Sequence, residues 1–124
     1  MRLTTTAALA LCLSIAPAWA IGERWGAVAM SQSGPEVGAT YDALAEVRAD
    51  TSALSRCSAR DCVVVLRLRN MCGAVAIGDR GFRSVEEHPI LRRAEGRALE
   101  ACEARGEVCR VAESGCATDQ GSRR

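Results

Sequence analysis

The chain has 124 residues, a formal net charge of +1, 48% hydrophobic residues and only 3% aromatic residues. A balanced charge excludes the clustered positive potential that general affinity for nucleic acid or anionic lipid requires. With so few aromatics, the core has to be built from Val, Leu, Ile and Ala, which bury less area per residue.

Residues 1–20 have the features of a secretory signal peptide. Arg2 precedes an apolar run from about residue 3 to residue 15, and Ala18-Trp19-Ala20 supplies the small residues of a cleavage site. The run is shorter than the roughly 20 residues that span a bilayer. We therefore expect export through the inner membrane to the periplasm or the cell exterior. The mature chain would start near Ile21 and make no stable membrane insertion.

The mature chain contains an internal repeat. The tetrad Gly-Ala-Val-Ala starts at Gly26 and again at Gly73, and RADTSALSRC at 48–57 matches RAEGRALEAC at 93–102 without gaps. This order of matches indicates a tandem duplication. We predict one domain over residues 21–116, built from two units at about 25–72 and 72–116. The polar tail, 117–124, has no periodicity, and we expect it to be disordered.

Each unit is predicted to run strand, connection, helix, strand. The Gly-Ala-Val-Ala segments are short apolar runs bounded by turn residues, as in buried strands. Short strands near Tyr41 and Phe82 are expected to complete a hairpin before each helix. Steps of three and four predict the buried helical faces, which are Leu44, Val47, Thr51, Leu54 and Cys57 in the first unit and Leu91, Ala94, Ala98 and Cys102 in the second.

The segment CVVVLRLRN, 62–70, alternates in polarity. Val64, Leu66 and Leu68 share one face, while Arg67 and Arg69 lie on the other. We expect the leucine face to pack against the helices and the arginine face to meet water. The predicted fold is therefore α+β: two tandem β(β)αβ repeats form a small, largely antiparallel sheet with two helices packed on one face.

Six cysteines remain after signal cleavage, an even number that is typical of a disulfide framework in a short exported chain. Because duplication favours equivalent bonds in both units, each helix end should pair with the start of the next strand. The remaining two cysteines would then staple the units together. The local C-x₄-C and C-x₆-C gaps disfavour zinc, so no metal or cofactor is expected. The predicted pairs are Cys57–Cys62, Cys102–Cys109 and Cys72–Cys116.

The segments NMCGAVAIGD (70–79), WGAVAMS (25–31) and RALEAC (97–102) resemble the bacterial domain of unknown function 4189 family. The resemblance runs from Trp25 to Cys116. It implies a small, exported, cysteine-containing protein and brings no catalytic residues with it.

His88, in EEHP, is the only histidine, and its acidic neighbours suggest general acid–base chemistry. Acidic residues are also favoured just before a helix, and His88 is then an ordinary loop residue. We expect no enzyme activity. A small hydrolase that uses His88 is the weakest alternative.

A binding function fits the sequence better. Disulfide-braced exported domains present rigid surfaces, and Arg and Trp are favoured at interface hot spots. Candidate contacts are Arg67, Arg69 and Trp25. We predict a monomeric, non-catalytic interaction, inhibitor or immunity-type module with an unknown protein or envelope partner and no nucleic-acid partner. The alternative is a structural or envelope-stress protein without a dedicated ligand.

Overall fold

The structure is a computed structural model that describes residues 23–118. The predicted signal peptide, 1–20, and the tail beyond Thr118 lie outside the described residues. The elements follow the order β1 (Trp25–Ser31), β2 (Val37–Ala43), α1 (Glu46–Arg56), β3 (Cys62–Arg69), β4 (Met71–Gly78), β5 (Arg83–His88), α2 (Leu91–Glu103) and β6 (Cys109–Ala117).

The six strands form two antiparallel sheets, ordered β2-β1-β3 and β5-β4-β6. The α+β class, the antiparallel pairing and the disulfides are confirmed. The single sheet with both helices on one face, expected from the sequence, is wrong in its layer arrangement. In the structure each helix covers the outer face of its own sheet, and the two inner faces pack together. The central strands β1 and β4 are apolar on both faces, so both faces need cover.

The main core lies between the two sheets and contains Val28 and Met30 of β1 and Val75 of β4. Leu66 and Leu68 of β3 belong to it as well, so their predicted packing against the helices is wrong. The predicted alternation also fails at a β-bulge, because Val28 pairs with Leu66 whereas Ala29 pairs with Val64. Val64 therefore packs with the α1 cluster instead of with the two leucines.

Alanines form the contact between each helix and its sheet. Ala49 and Ala53 of α1 pack on Ala27 and Ala29 of β1, and all four are essentially inaccessible to solvent. Of the α1 face predicted to be buried, only Cys57 is buried, whereas Leu44 at 67%, Val47 at 70%, Thr51 and Leu54 are exposed. The reason is steric, since the small side chains of Ala49 and Ala53 let the helix lie directly on Ala27 and Ala29 of β1. The face predicted for α2 is confirmed: Leu91, Ala94, Ala98 and Cys102 are buried.

The strands of the two units pair in the same order, so β1, β2 and β3 correspond to β4, β5 and β6. Trp25 pairs with Arg69 across β1 and β3, and Cys72 pairs with Cys116 across β4 and β6, so both partners are displaced by 47 positions. The counterpart of Cys116 is therefore Arg69, and not Cys72, although Cys72 and Cys116 are the last residues of the two predicted units, 25–72 and 72–116.

The cysteines pair as the repeat predicts, with bonds Cys57–Cys62, Cys72–Cys116 and Cys102–Cys109. The expected role of the Cys72–Cys116 bond is wrong, however. It joins β4 to β6 inside the second sheet and does not staple the two units together. The units are instead held by the core between their sheets.

Ala117 ends β6, where it pairs with Met71 and is fully buried. The prediction that disorder begins at 117 is therefore wrong at this residue, because its backbone pairs with β4 and its methyl group joins the main core. Among residues 23–118, neither helix is long and apolar enough to cross a membrane.

Gly38 of β2 sets how closely α1 approaches the sheet. A Cβ at this position would lie 2.2 Å from the carbonyl oxygen of Ala53 and 2.4 Å from the amide nitrogen of Cys57. We expect Gly38→Ala to lower the free energy of unfolding by about 1–3 kcal/mol, because the helix backbone has to move. Urea denaturation with the disulfides intact measures this change.

Gly96, inside α2, is the matched control, because a Cβ there would meet nothing within 4 Å. Gly96→Ala should raise the free energy of unfolding by about 0.5–1 kcal/mol through helix propensity. Equal stabilities for the two variants would contradict the close approach at Gly38.

Candidate functional site

The three predicted contact residues lie together at one end of the first sheet. Trp25 and Arg69 are direct partners across β1 and β3, and Arg67 pairs with Ala27 on the same, α1-covered face. Trp25 is half-buried and packs against the alanine cluster beneath α1. The guanidinium carbon of Arg69 lies 5.2 Å from the centroid of the Trp25 ring, which is a cation–π contact.

Both guanidinium groups are bound by carboxylates. Arg67 donates from Nε and Nη2 to Asp50 of α1 at 3.0–3.1 Å, and Glu46 lies 3.7 Å from its Nε. Arg69 forms an ion pair with Glu23. The hydrogen bonds and charge of Asp50 raise the pKa of Arg67. Exposed pairs of this kind contribute little to stability, because solvent screens them. Their main effect here is to fix where the two guanidinium groups point.

The outer surface of α1 carries an apolar stripe. Val47, Thr51 and Leu54 follow one another at steps of four and three, opposite the buried Ala49 and Ala53. Leu54 is 39% exposed, and Leu44, just before the helix, extends the stripe at one end. The periodicity thus correctly grouped Val47, Thr51 and Leu54 on one side of α1. It wrongly predicted that this side is buried.

We define the α1 face as Trp25, Leu44, Val47, Leu54, Arg67 and Arg69. Asp50, which binds Arg67, lies on the flank of α1 between its buried alanines and its exposed stripe. The ion pair therefore borders the apolar side chains, and this juxtaposition of α1 with β3 could not be seen in the sequence.

The second unit has no such stripe. The position equivalent to Val47 is Arg92, and the outer surface of α2 is polar. The exposed residues there include Arg93, Arg97, Glu100 and Glu103. An apolar stripe on the outer surface of a helix therefore belongs to the first unit only, because the exposed large apolar residues of the second unit, Val85, Ile90 and Val108, lie outside α2.

His88 ends β5 and lies opposite Cys72. Its Nδ1 accepts a hydrogen bond from the backbone N–H of Ile90 at 2.9 Å, which orients the first turn of α2. The expectation of a loop in which acidic residues precede a helix is wrong, because Glu86 and Glu87 are strand residues that point to opposite faces. Within residues 23–118, no group of three or more His, Cys, Asp or Glu side chains could hold a metal ion.

Asp61 holds the β1–β2 turn, a role that sequence reasoning missed. Its carboxylate accepts hydrogen bonds from the hydroxyls of Ser31 and Ser33, both at 2.6 Å, and these bonds lower the pKa of Asp61. In the second unit Glu107 accepts from the backbone N–H groups of Arg80 and Phe82. The available signal was an acidic residue shortly before Cys62 and again before Cys109.

A cleft of about 350 Å³ lies between the β1–β2 and β4–β5 turns. Nη2 of Arg83 donates to the carbonyl oxygen of Gly34 at 3.1 Å, which ties the two turns together. The other lining residues include Ile77, Asp79 and Arg110. Since the Arg83 guanidinium is already hydrogen-bonded to the turn of the other unit, we interpret this cleft as a contact region between the two units.

The family described as Domain of unknown function (DUF4189) matches residues 25–116. The match begins with the first residue of β1 and ends one residue before the end of β6, so it covers both units. The resemblance noted at the Gly-Ala-Val-Ala segments is thereby confirmed. No curated protein matches the chain, and no solved structure does.

Because the pKa of Asp61 is lowered in the folded chain, the free energy of unfolding should fall as the pH becomes acidic. The unfolded chain binds this proton more tightly than the folded chain does, so the stabilisation is complete above about pH 4 and is lost as the pH falls through the folded pKa. We expect Asp61→Asn to lower the unfolding midpoint at pH 7 and to flatten the decline below pH 4. Urea midpoints between pH 2 and pH 7 measure both effects.

Glu100→Gln is the control, because Glu100 is exposed on α2 and its side chain makes no hydrogen bond or ion pair with any residue in 23–118. It should retain the acid dependence of the wild type. If Asp61→Asn retained that dependence as well, the turn-holding role of Asp61 would be refuted.

Proposed function

We propose that this chain, which belongs to the DUF4189 family, is an exported, disulfide-braced module that binds a protein partner through its α1 face and catalyses no reaction. The apolar stripe of α1 carries the proposal. Leu44 and Val47 are 67% and 70% exposed in a domain that is short of large apolar side chains. Contiguous exposed apolar residues with a polar rim mark interaction surfaces.

The composition of the α1 face supports a protein partner. Hot spots are enriched in Trp and Arg, and they sit beside apolar contacts that exclude water. Here Trp25 is stacked by Arg69, and Arg67 is fixed by Asp50, so these side chains lose little freedom on binding. The Cys57–Cys62 bond anchors the C-terminal end of α1 to β3 and makes the helix a rigid element.

The spacing of the stripe indicates the mode of binding. Val47 and Leu54, one i and i+7 pair, are the anchors of a helix that lies in an apolar groove. The charges of Arg67 and Arg69 beside the stripe are already compensated within the chain, whereas the exposed Arg48 of α1 forms no ion pair with any residue in 23–118. We therefore infer a largely apolar groove on the partner. An exported enzyme or toxin that this module inhibits would fit this description.

The disulfides support the proposed location. Three bonds brace 96 described residues, and such bonds persist in oxidising compartments. Together with the predicted signal peptide at 1–20, they favour the periplasm or the cell exterior.

The test is a double variant, Val47→Glu with Leu54→Glu, which places charge on the stripe and leaves the buried alanines untouched. The partner is captured from envelope extract by crosslinking, identified by mass spectrometry, purified and titrated against the mature chain. Trp25 fluorescence reports the titration. We expect at least a tenfold loss of affinity, because charges at hot-spot positions remain uncompensated in the complex.

Arg93→Glu, on the outer surface of α2, is the matched control and should bind as the wild type does. Equal affinity of the double variant and the control for the captured partner would refute the proposal. A wild-type dimer that the double variant converts to a monomer, measured by light scattering, would refute it in favour of self-association.

A further inference from the structure

A hollow of about 290 Å³ lies beside α2 in the second unit. It is lined by Leu91, Arg92 and Glu95 of α2 and by Ser114 of β6. Leu91 packs against Cys72 and Cys116, so the disulfide of the second sheet lies beneath it. The hollow belongs to the other unit from the α1 face, and its function does not depend on the function proposed above.

The same place in the first unit is filled by an arginine. In the repeat, Glu95 corresponds to Asp50, because RADTSALSRC matches RAEGRALEAC, and Ser114 corresponds to Arg67, because both pair with equivalent alanines of the central strands. Asp50 holds the Arg67 guanidinium through hydrogen bonds of 3.0–3.1 Å. The first unit therefore contains a bound guanidinium that the chain itself supplies.

In the second unit the acidic residue is present as Glu95, but Ser114 stands at the position of Arg67. Ser114 donates from Oγ to Oε1 of Glu95 at 3.2 Å, but its short side chain leaves the space of a guanidinium empty. Glu95 forms no ion pair with any residue in 23–118. The Glu95 carboxylate thus faces an open hollow, whereas the equivalent Asp50 carboxylate is bound by the Arg67 guanidinium.

We propose that this hollow binds the guanidinium of an arginine side chain from a peptide or protein. A planar guanidinium matches a carboxylate through two parallel hydrogen bonds, as Arg67 demonstrates by donating from Nε to Oδ1 and from Nη2 to Oδ2 of Asp50. Leu91 replaces Glu46 at the equivalent helix position and offers an apolar wall for the methylene stem of the arginine. Ser114 provides a hydroxyl beside the same carboxylate.

Arg92 lines the hollow too, and its charge opposes a cation. The effect of removing Arg92 therefore distinguishes a bound cation from a bound anion. Removing Arg92 should strengthen the binding of a guanidinium, whereas it would weaken the binding of an anion that Arg92 holds.

The probe is N-acetyl-arginine-amide, which carries a guanidinium and no other charge. Titration is followed by amide NMR shifts of α2 and β6 in the ¹⁵N-labelled mature chain. We expect saturable shifts around Glu95 and Ser114 with a Kd of about 1–10 mM. N-acetyl-citrulline-amide, the neutral isostere, should give no saturable shift.

Four variants complete the test, each checked for an otherwise unchanged amide spectrum. Glu95→Gln and Ser114→Arg should each abolish binding, the first by removing the carboxylate and the second by filling the hollow. Arg92→Ala should lower the Kd at least twofold. In the first unit, Arg67→Ser should create a second site with shifts around Asp50.

The proposal is overturned if arginine and citrulline probes give the same shifts or if the wild type gives none. It is also overturned if Glu95→Gln binds as the wild type does, or if Arg92→Ala binds more weakly. Because Glu95, Ser114 and Arg92 lie outside the α1 face, a negative result with the variants of these three residues leaves the protein-binding proposal unaffected.

Discussion

The close contact between each helix and its central strand is the constraint on which the rest of the structure depends. Alanines meet alanines there, and at Gly38 the helix backbone leaves no room even for a Cβ. Trp25 and Val64 pack, partly buried, against the alanines of the first unit, and most other large apolar side chains of that unit lie elsewhere. On β1 and β3 they point into the space between the sheets, where Met30 and Leu68 are among the largest fully buried side chains. On α1 they point outward.

The Gly-Ala-Val-Ala tetrads record this constraint in the sequence. Their alternate residues face opposite ways, so Ala27 and Ala29 meet the helix while Val28 meets the opposite sheet. A strand covered on both sides in this way is buried along its whole length, as the burial of β1 from Gly26 to Ser31 shows. The tetrads are therefore structural, and the distinguishing chemistry lies where the two copies differ.

How much the sequence could predict depends on the kind of signal. Duplication was enough to derive the cysteine pairs, and spacing located both helices. Spacing could not tell the buried side of α1 from its exposed side, because Ala49 and Ala53 look less apolar than Val47 and Leu54. The burial of the alanines reflects their size, which a hydrophobicity pattern does not weigh. The bulge in β3 was likewise invisible, and it moves Val64 away from the face of Leu66.

The candidate site could likewise be predicted only in part from the sequence. Residue type singled out Trp25, Arg67 and Arg69, and strand pairing brings them to one face. Their carboxylate partners were not predicted, because Asp50 reaches Arg67 from a different element and Glu23 precedes the first strand. Long-range polar contacts of this kind leave no periodic trace.

The replacement of the Cys72–Cys116 bond by the Trp25–Arg69 pair has a dynamic consequence. At equivalent ends, the second sheet is closed by a covalent bond and the first by a ring and a guanidinium. Opening of the first sheet at this end breaks only weak contacts, so its amide hydrogens should exchange with solvent through smaller, less costly fluctuations. The first sheet, which carries the α1 face, should therefore open at this end before the second sheet does, because the Cys72–Cys116 bond holds the second sheet closed.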